Sequence, residues 1–365
     1  MLYLNKFSLI LFITMISGST FTQEIDKPLP VLKTKQSLNN IRFISSDGKL
    51  TYFQRRSGDL QLSKNYLNYE VLKRDKFTEY FISASDTKKK MLIEIDSSFH
   101  TEMNHLKKNE IYIMDYGSSE PQKVTEGAFP KLQFKDRFFS YFDTKKKSLH
   151  YVETNDLKTV FTIKLNNKLN PYYVPETDMI TNYDIVYTDI NSSGQNAILM
   201  YSALDKKSKV IYKSTLSGGR LDYCIMDKKI YIGEFSFGDI PNASKIVEVP
   251  IYNNEGFKNY KVIYQSQQSD IGNLNCSEDK IYFIKTLSYN KKLNLKQTEI
   301  AAYNIKTANT DILTNLKYVT QIIKIDDMIV APFRGEYYLI KGNPTLTQDG
   351  IEKDKAVDER DLNLE

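Results

Sequence analysis

Short runs of β-branched and aromatic residues recur along the whole chain, and a turn of charged or polar residues precedes each run. Runs of this kind predict β-strands, and no stretch of twelve or more residues shows a sustained helical stripe of apolar positions. One apolar position taken from each run recurs every 42 to 51 residues, at Leu50, Leu92, Phe138, Ile185, Ile230, Ile281 and Ile329. The pattern therefore predicts an all-β chain built from repeated units.

Each unit reads as a four-stranded sheet, with the aligned run as its first strand. Third strands are predicted at 111–114, 149–152, 198–201, 246–249 and 300–303, and fourth strands at 122–125, 159–162, 210–212, 262–264 and 311–314. A sheet this small cannot bury both of its faces alone, whereas a ring of such sheets can. We expect a β-propeller of seven four-stranded blades, with six or eight as alternatives.

The two ends of the chain suggest how the ring closes. The last unit ends near 337–340 without an evident fourth strand, and residues 29–34 could take that place. Pairing of the two chain ends within one sheet would lock the ring. The acidic segment 343–365 then reads as a flexible tail.

Residues 1–23 have the organisation of a signal peptide. Lys6 supplies a positive charge, 7–16 form an apolar core, and Ser17-Gly18-Ser19 offer small residues for cleavage. The apolar stretch is too short to span a bilayer, and no later segment reaches that length. We expect a leader at 1–23, one propeller domain at 24–342, and a periplasmic or secreted location.

Charge narrows the classes of partner. The chain carries a net charge of +5, one lysine of which belongs to the leader, while the tail has seven acidic and three basic residues. The predicted propeller is therefore mildly basic. This balance would suit an anionic envelope surface or an acidic partner, or it reflects only a solvated lysine-rich surface. Nucleic-acid binding is not expected, because basic residues and stacking aromatics are not concentrated together.

Three segments carry a family resemblance. Phe43–Leu50 contains Ser-Asp-Gly before an apolar strand, Ile111–Asp115 reads Ile-Tyr-Ile-Met-Asp, and Glu120–Thr125 ends in Lys-Val-Thr before Phe129–Asp136. Together they resemble the TolB-like propeller repeat of bacterial periplasmic proteins, most clearly over 41–163. The resemblance implies a propeller fold and a compartment outside the cytoplasm, and it leaves the activity open.

The histidines offer little material for catalysis. His100, Glu102 and His105 are not spaced like a zinc-peptidase motif, and we expect a surface loop there rather than a metal site. His150 lies in a predicted strand and reads as structural. The segment 189–195 begins like a calcium loop but lacks the closing glutamate, so a hairpin turn is favoured. No cofactor is expected.

Cys224 and Cys276 each lie three residues before an aspartate at a turn, in consecutive units. They should occupy equivalent first-strand positions on neighbouring blades. An oxidising compartment would allow a disulfide between them. Bridging requires Cα atoms within about 7 Å, and we expect neighbouring blades to stand farther apart there. Two buried free thiols are therefore favoured over the disulfide.

These features favour a non-catalytic propeller that binds an envelope protein or another extracytoplasmic ligand. The alternative is a polysaccharide lyase or glycosidase with its site at the channel mouth, and a third interpretation is a sensor or structural component. An enzyme should show convergent titratable groups in a deep pocket, whereas a binder should show exposed aromatic residues. Candidate binding residues at the ends of units are Tyr172, Tyr173, Phe235, Phe237 and Arg334.

Overall fold

The computed structural model describes part of the chain in detail. The described residues are 31–34, 41–44, 50–54, 59–64, 67–72, 79–85, 90–96, 109–134, 136–166, 175–190, 195–216, 219–235, 244–252, 259–290, 295–314, 319, 321–325, 328–333, 336–341 and 351–352. Strands are the regular elements of these ranges, and within them we find no helix long and apolar enough to cross a membrane. Residues 1–23, which we predicted as a leader, and the segment from His100 to His105 lie outside the described residues.

Six sheets are antiparallel, and each contains four strands in chain order. The first sheet has β2 (Ile41–Ile44), β3 (Leu50–Gln54), β4 (Leu60–Lys64) and β5 (Leu67–Leu72). The second has β6 (Glu79–Ser85), β7 (Lys90–Asp96), β8 (Glu110–Asp115) and β9 (Gln122–Glu126). The third has β10 (Ala128–Gln133), β11 (Phe138–Asp143), β12 (Ser148–Glu153) and β13 (Thr159–Lys164).

The next three sheets repeat this arrangement. The fourth has β14 (Thr177–Met179), β15 (Asp184–Ile190), β16 (Asn196–Ser202) and β17 (Lys207–Lys213). The fifth has β18 (Arg220–Met226), β19 (Lys229–Phe235), β20 (Ser244–Pro250) and β21 (Lys261–Ser266). The sixth has β22 (Asp270–Ser277), β23 (Lys280–Asn290), β24 (Leu295–Asn304) and β25 (Thr310–Thr314).

The last sheet joins the two ends of the chain. It contains β26 (Ile323–Ile325), β27 (Met328–Phe333), β28 (Glu336–Lys341), β1 (Val31–Thr34) and β29 (Ile351–Glu352). Strand β1 pairs antiparallel with β28, with Val31 opposite Tyr338, as the closure argument predicts. Strand β29 pairs with the other edge of β1. Residues 351–352, which we expected in a loose tail, therefore form a fifth strand.

The sheets form a closed ring, because each one packs against the next through a shared apolar cluster. Leu92 of the second sheet packs with Phe139 of the third, and equivalent clusters join the third to the fourth, the fourth to the fifth, the fifth to the sixth and the sixth to the last. One cluster contains Tyr52 of the first sheet together with Val330 and Leu339 of the last. The protein is thus a β-propeller, in which small twisted sheets cover one another's faces.

Two expectations about the repeat need correction. The aligned run of each unit, which we predicted as a first strand, forms the second strand of each sheet, for example β3, β7 and β11. The true first strands escaped the pattern because they are short or polar. We predicted four strands for every blade. Six sheets have four strands, whereas the sheet that contains both chain ends has five strands.

Candidate functional site

The first strands of neighbouring sheets contact one another and form the inner wall of the ring. Each of these strands has one edge without a strand partner, so its N–H groups need other acceptors. Polar side chains from the preceding sheet meet this need. Leu132 N donates to Ser83 Oγ at 3.2 Å, and Met179 N donates to Gln133 Oε1 at 2.9 Å.

The same kind of bond, from a backbone N–H to a polar side chain of the preceding sheet, occurs farther along the wall. Leu274 N of β22 donates to Asp222 Oδ2 of β18 at 2.8 Å, and Ile322 N donates to Asn273 Oδ1. Asn273 has a φ of +56° at an irregularity of β22, a conformation that asparagine tolerates better than most residues. Side chains of the first strands therefore act first as structural links between sheets.

A disulfide joins the fifth and sixth sheets at this wall. Cys224 and Cys276 are bonded, with their Cα atoms 5.5 Å apart. The expectation of two free thiols rested on a wider separation, and it is wrong for this structure. The two first strands, β18 and β22, are close enough at these positions for a direct bridge.

Four charged side chains gather on the inner wall, and we call them the inner-wall cluster: Lys131, Glu176, Asp178 and Asp222. They come from β10, β14 with its preceding residues, and β18, and are partly exposed. Lys131 Nζ lies 2.7 Å from Asp178 Oδ1. The negative charge of Asp222, which lies across the boundary between the fourth and fifth sheets, acts on Glu176.

Enclosure by protein alters the titration of this cluster. Burial, together with the negative charge of Asp222, raises the pKa of Glu176 well above its usual range. Burial raises the pKa of Asp222 to about 6, although the Leu274 N–H lowers it. Burial also acts to lower the pKa of Lys131, but the nearby carboxylates outweigh this effect and raise it.

Three further acids are buried near the ends of second strands, where each accepts a backbone N–H from the start of another strand or from a connection between strands. Glu94 accepts from Phe129 N at 2.9 Å, and Asp189 accepts from Asn166 N at 2.7 Å. Glu234 accepts from Leu216 N at 3.0 Å and from the hydroxyl groups of Tyr212 and Ser214. Burial acts to raise the pKa of Glu234, but these bonds outweigh it and the net shift is downward. These carboxylates have structural partners.

His150 also has a structural environment. Its ring stacks on Tyr141 with centroids 5.0 Å apart, and Nε2 lies 2.9 Å from Ser148 Oγ. Burial lowers its pKa, so the ring stays neutral at pH 7. This arrangement fits the structural role that the sequence predicts for this residue.

A groove of about 560 Å³ runs between the fourth and fifth sheets on the outer part of the ring. The side chains that line it are Asp184, Met200, Ser202, Asp205, Lys207, Ser208, Lys209 and Tyr252. Tyr252 is 51% exposed, and its hydroxyl donates to Asp184 Oδ2 at 3.2 Å. Thr181 Oγ1 also donates to this carboxylate. We refer to this feature as the groove.

Two exposed side chains border the groove. Leu204 lies in the turn between β16 and β17 and is 72% exposed, and Tyr183 lies just before β15 and is 50% exposed. Ala203 N donates to Tyr183 O at 2.7 Å, which holds the two turns together. Three of the six large apolar side chains that the described residues expose thus lie at one place.

Most of the binding residues predicted from the sequence lie outside the described residues, namely Tyr172, Tyr173, Phe237 and Arg334. Phe235 is described. Its ring lies against β22, where a Cβ placed on Gly272 would be 3.6 Å away. The prediction that these residues form a binding face therefore remains a prediction.

Sequence reasoning missed both the inner-wall cluster and the groove. The cluster depends on the convergence of three first strands, which no local pattern reports. The groove left a weak signal, because Leu204 and Tyr252 are large apolar residues in turns, where polar residues are usual. Among the described residues, no group of three or more His, Cys, Asp or Glu side chains is placed to hold a metal.

Comparison with known proteins supports the fold alone. No protein-family model matches the chain, and no curated protein matches it. Among solved structures, tricorn protease is similar over 90% of this chain with a TM-score of 0.60 and 12% identity, and a prolyl endopeptidase is similar over 86% of this chain with a TM-score of 0.54 and 11% identity. The chain spans 35% of the tricorn protease chain and 49% of the prolyl endopeptidase chain.

A solved propeller domain is similar as well. The Cps50 (Swd1) β-propeller domain of Myceliophteria thermophila matches 86% of this chain and 99% of its own, with a TM-score of 0.52 and 9% identity. The class that fold and comparisons define is therefore the β-propeller.

Proposed function

We propose that this chain is an exported, non-catalytic β-propeller that binds a protein partner in the periplasm or cell envelope, and that the groove is its binding surface. The proposal takes the propeller ring as the rigid support, and it takes the predicted leader at 1–23 together with the resemblance to TolB-like repeats as the arguments for export.

The exposed side chains at the groove carry this proposal. Tyr252, Tyr183 and Leu204 offer apolar area to solvent, while Lys207 and Asp205 place charges around it. Aromatic anchors within a polar rim are typical of protein-binding surfaces. The buried acids and His150 already have structural partners, which favours binding over catalysis.

The decisive experiment is affinity purification from the envelope fraction of the native organism. Three baits are compared: the wild-type protein, a groove variant with Leu204→Ser and Tyr252→Ser, and a control variant with Tyr69→Ser and Val160→Ser. The control residues are 40% and 42% exposed but lie on the first and third sheets. We expect the wild type and the control to recover one stoichiometric protein that the groove variant does not.

The affinity of the recovered partner sharpens the result. Loss of two central anchors should weaken binding at least about 30-fold, as for interface hot spots. Equal recovery by all three baits, or no stoichiometric protein with any of them, would overturn the proposal.

A second candidate function is supported by the inner-wall cluster. Glu176, whose pKa is raised, together with Asp222 and Lys131 has the composition of a general acid with charged neighbours, as in a polysaccharide lyase or glycosidase. This activity predicts release of reducing ends from envelope or extracellular polysaccharides and its loss in Asp222→Asn. Absence of product from acidic and neutral polysaccharides alike would exclude this candidate.

A further inference from the structure

We propose that the outer edge of β1 is a strand-addition site, which the chain's own strand β29 covers and which an extended segment of a partner protein can occupy in its place. The segment that fits pairs antiparallel with β1 and carries an aliphatic residue followed by an acidic one. This edge belongs to the closing sheet, whereas the groove lies between the fourth and fifth sheets, so the inference does not depend on the proposed function.

The outer edges of the other six sheets are irregular. In each of these sheets the register shifts between the third strand and the fourth, which is the outermost. Such irregularities bend and twist an edge strand, and this discourages the addition of a further strand. These six edges are therefore poor sites for strand addition.

The closing sheet differs in two respects. Its fourth strand, β1, pairs with β28 at Val31 and Leu32 without a register shift, and a fifth strand lies outside it. A regular edge presents backbone N–H and C=O groups to an added strand, and proteins commonly cover such an edge to prevent unwanted pairing. Strand β29 provides this cover, so the fold itself shows that the edge of β1 accepts an added strand.

The register of β29 indicates which segments fit the edge. In the antiparallel pair, Lys33 stands opposite Glu352 and Thr34 stands opposite Ile351. Opposite charges at directly opposed positions favour pairing, and β-branched residues suit both strands. The edge therefore favours an extended segment with an acidic residue at the position of Glu352 and an aliphatic residue just before it.

Two features allow a partner segment to replace β29. The strand contributes only two residue pairs, and so short an element near a chain end opens at a small cost in free energy. Residues 342–350 tether it to β28, and a short tether of this kind gives a local concentration in the millimolar range. Strand β29 therefore covers the edge when no partner is present, and a segment that forms more residue pairs displaces it.

Binding of a labelled peptide tests the site. The peptide spans 348–358 of this chain, which includes β29, and its affinity is measured by fluorescence anisotropy for three proteins. These are the full chain, a shortened chain that lacks 343–365, and a control chain that lacks 353–365 and keeps β29. We expect the shortened chain to bind the peptide at least about 10-fold more tightly than the other two, because their own strand competes.

The register provides a sharper control. A peptide with Ile351→Pro and Glu352→Pro should not bind, because proline has no N–H to donate to the strand edge. In the shortened chain, Lys33→Glu should weaken binding of the unchanged peptide by about threefold, and a peptide with Glu352→Lys should restore it. Equal binding of the proline peptide would refute strand addition.

The remaining outcomes also decide the question. Equal affinity of the three proteins, or no binding by the shortened chain, would overturn the proposal. A concentration-dependent dimer of the shortened chain that excludes the peptide would assign the edge to a second copy and overturn it as well. If the shortened chain does not fold, the full chain with Ile351→Pro and Glu352→Pro replaces it. Failure of both to fold would show that β29 is an integral part of the ring and refute its displacement.

Discussion

Two junctions keep the ring intact, and they do so by different means. Between the fifth and sixth sheets, the disulfide of Cys224 and Cys276 and the bond from Leu274 N to Asp222 join residues about 50 positions apart. In the last sheet, backbone pairing of β1 with β28 joins Val31 to Tyr338 without a covalent link. The first junction relies on side chains and the second on strand pairing.

The difference reflects where each junction lies. Inner strands come close together near the axis, so short side chains and a disulfide can reach across from one sheet to the next. The closing sheet contains strands from both ends of the chain. These ends have no peptide bond between them, so backbone pairing within one sheet connects them. One boundary of the propeller thus joins residues about 50 positions apart in the sequence, whereas another joins strands near the two ends of the chain.

The largest effect should come from removal of β1. Deletion of residues 24–34 leaves β28 with an open edge and removes the link between the chain ends. We expect the free energy of unfolding to fall by at least about 5 kcal/mol, a large part of the usual stability of a domain. Urea denaturation measures this change. Deletion of 353–365, which lies beyond β29, is the control and should leave the midpoint unchanged; equal effects of both deletions would contradict the closure.

Loss of the disulfide should have the next largest effect. The bond closes a loop of about 50 residues, and chain-entropy reasoning assigns about 4 kcal/mol to such a link. The variant with Cys224→Ala and Cys276→Ala should lose roughly this stability in urea, and reductant should shift the wild type but leave the variant unaffected. An identical midpoint with and without reductant would show that the bond does not form in solution.

Packing at the same junction can be tested without touching the disulfide. A Cβ on Gly233 would lie 2.6 Å from Leu274 Cδ1, whereas a Cβ on Gly272 meets nothing closer than the Phe235 ring at 3.6 Å. Gly233→Ala should therefore cost about 1–3 kcal/mol through overpacking, and Gly272→Ala should be tolerated. Thermal melts of both variants decide the point. Equal stability of the two would mean that Leu274 moves aside freely.

The smallest expected effect concerns Asn273. Its side chain accepts from Ile322 N, and its own φ is positive. Asn273→Ala removes the acceptor and places alanine in an unfavourable conformation, at a cost of about 1–2 kcal/mol. Asn273→Asp keeps the acceptor and should retain more of the stability. The midpoints of urea unfolding compare the two variants. A higher midpoint for Asn273→Ala than for Asn273→Asp would show that the bond from Ile322 N does not stabilise the inner wall.

The sequence could predict the outer parts of the sheets and the closure. The third strand β12 carries apolar and aromatic residues because neighbouring sheets cover it, and the largely exposed fourth strand β13 still carries β-branched residues. The first strands β14 and β22 read Thr-Asp-Met and Asp-Ile-Gly-Asn-Leu-Asn-Cys-Ser, because side chains on the inner wall bind backbone groups of the next sheet. That use of polar residues obscures the strand pattern.

Buried acids were equally hard to predict. A glutamate such as Glu234 at the end of a strand reads as a solvated position, yet it is fully buried and binds a segment from the preceding sheet. Its partners at 214–216 can be recognised only when the fold is known. The distance between Cys224 and Cys276 likewise depends on how closely the two sheets approach each other, which can be known only from the fold.

Strand β1 is synthesised early and finds its partner only after roughly 300 further residues have been made. Until β28 is available, β1 lacks its partner on that side, so the ring cannot close before nearly the whole propeller sequence is present.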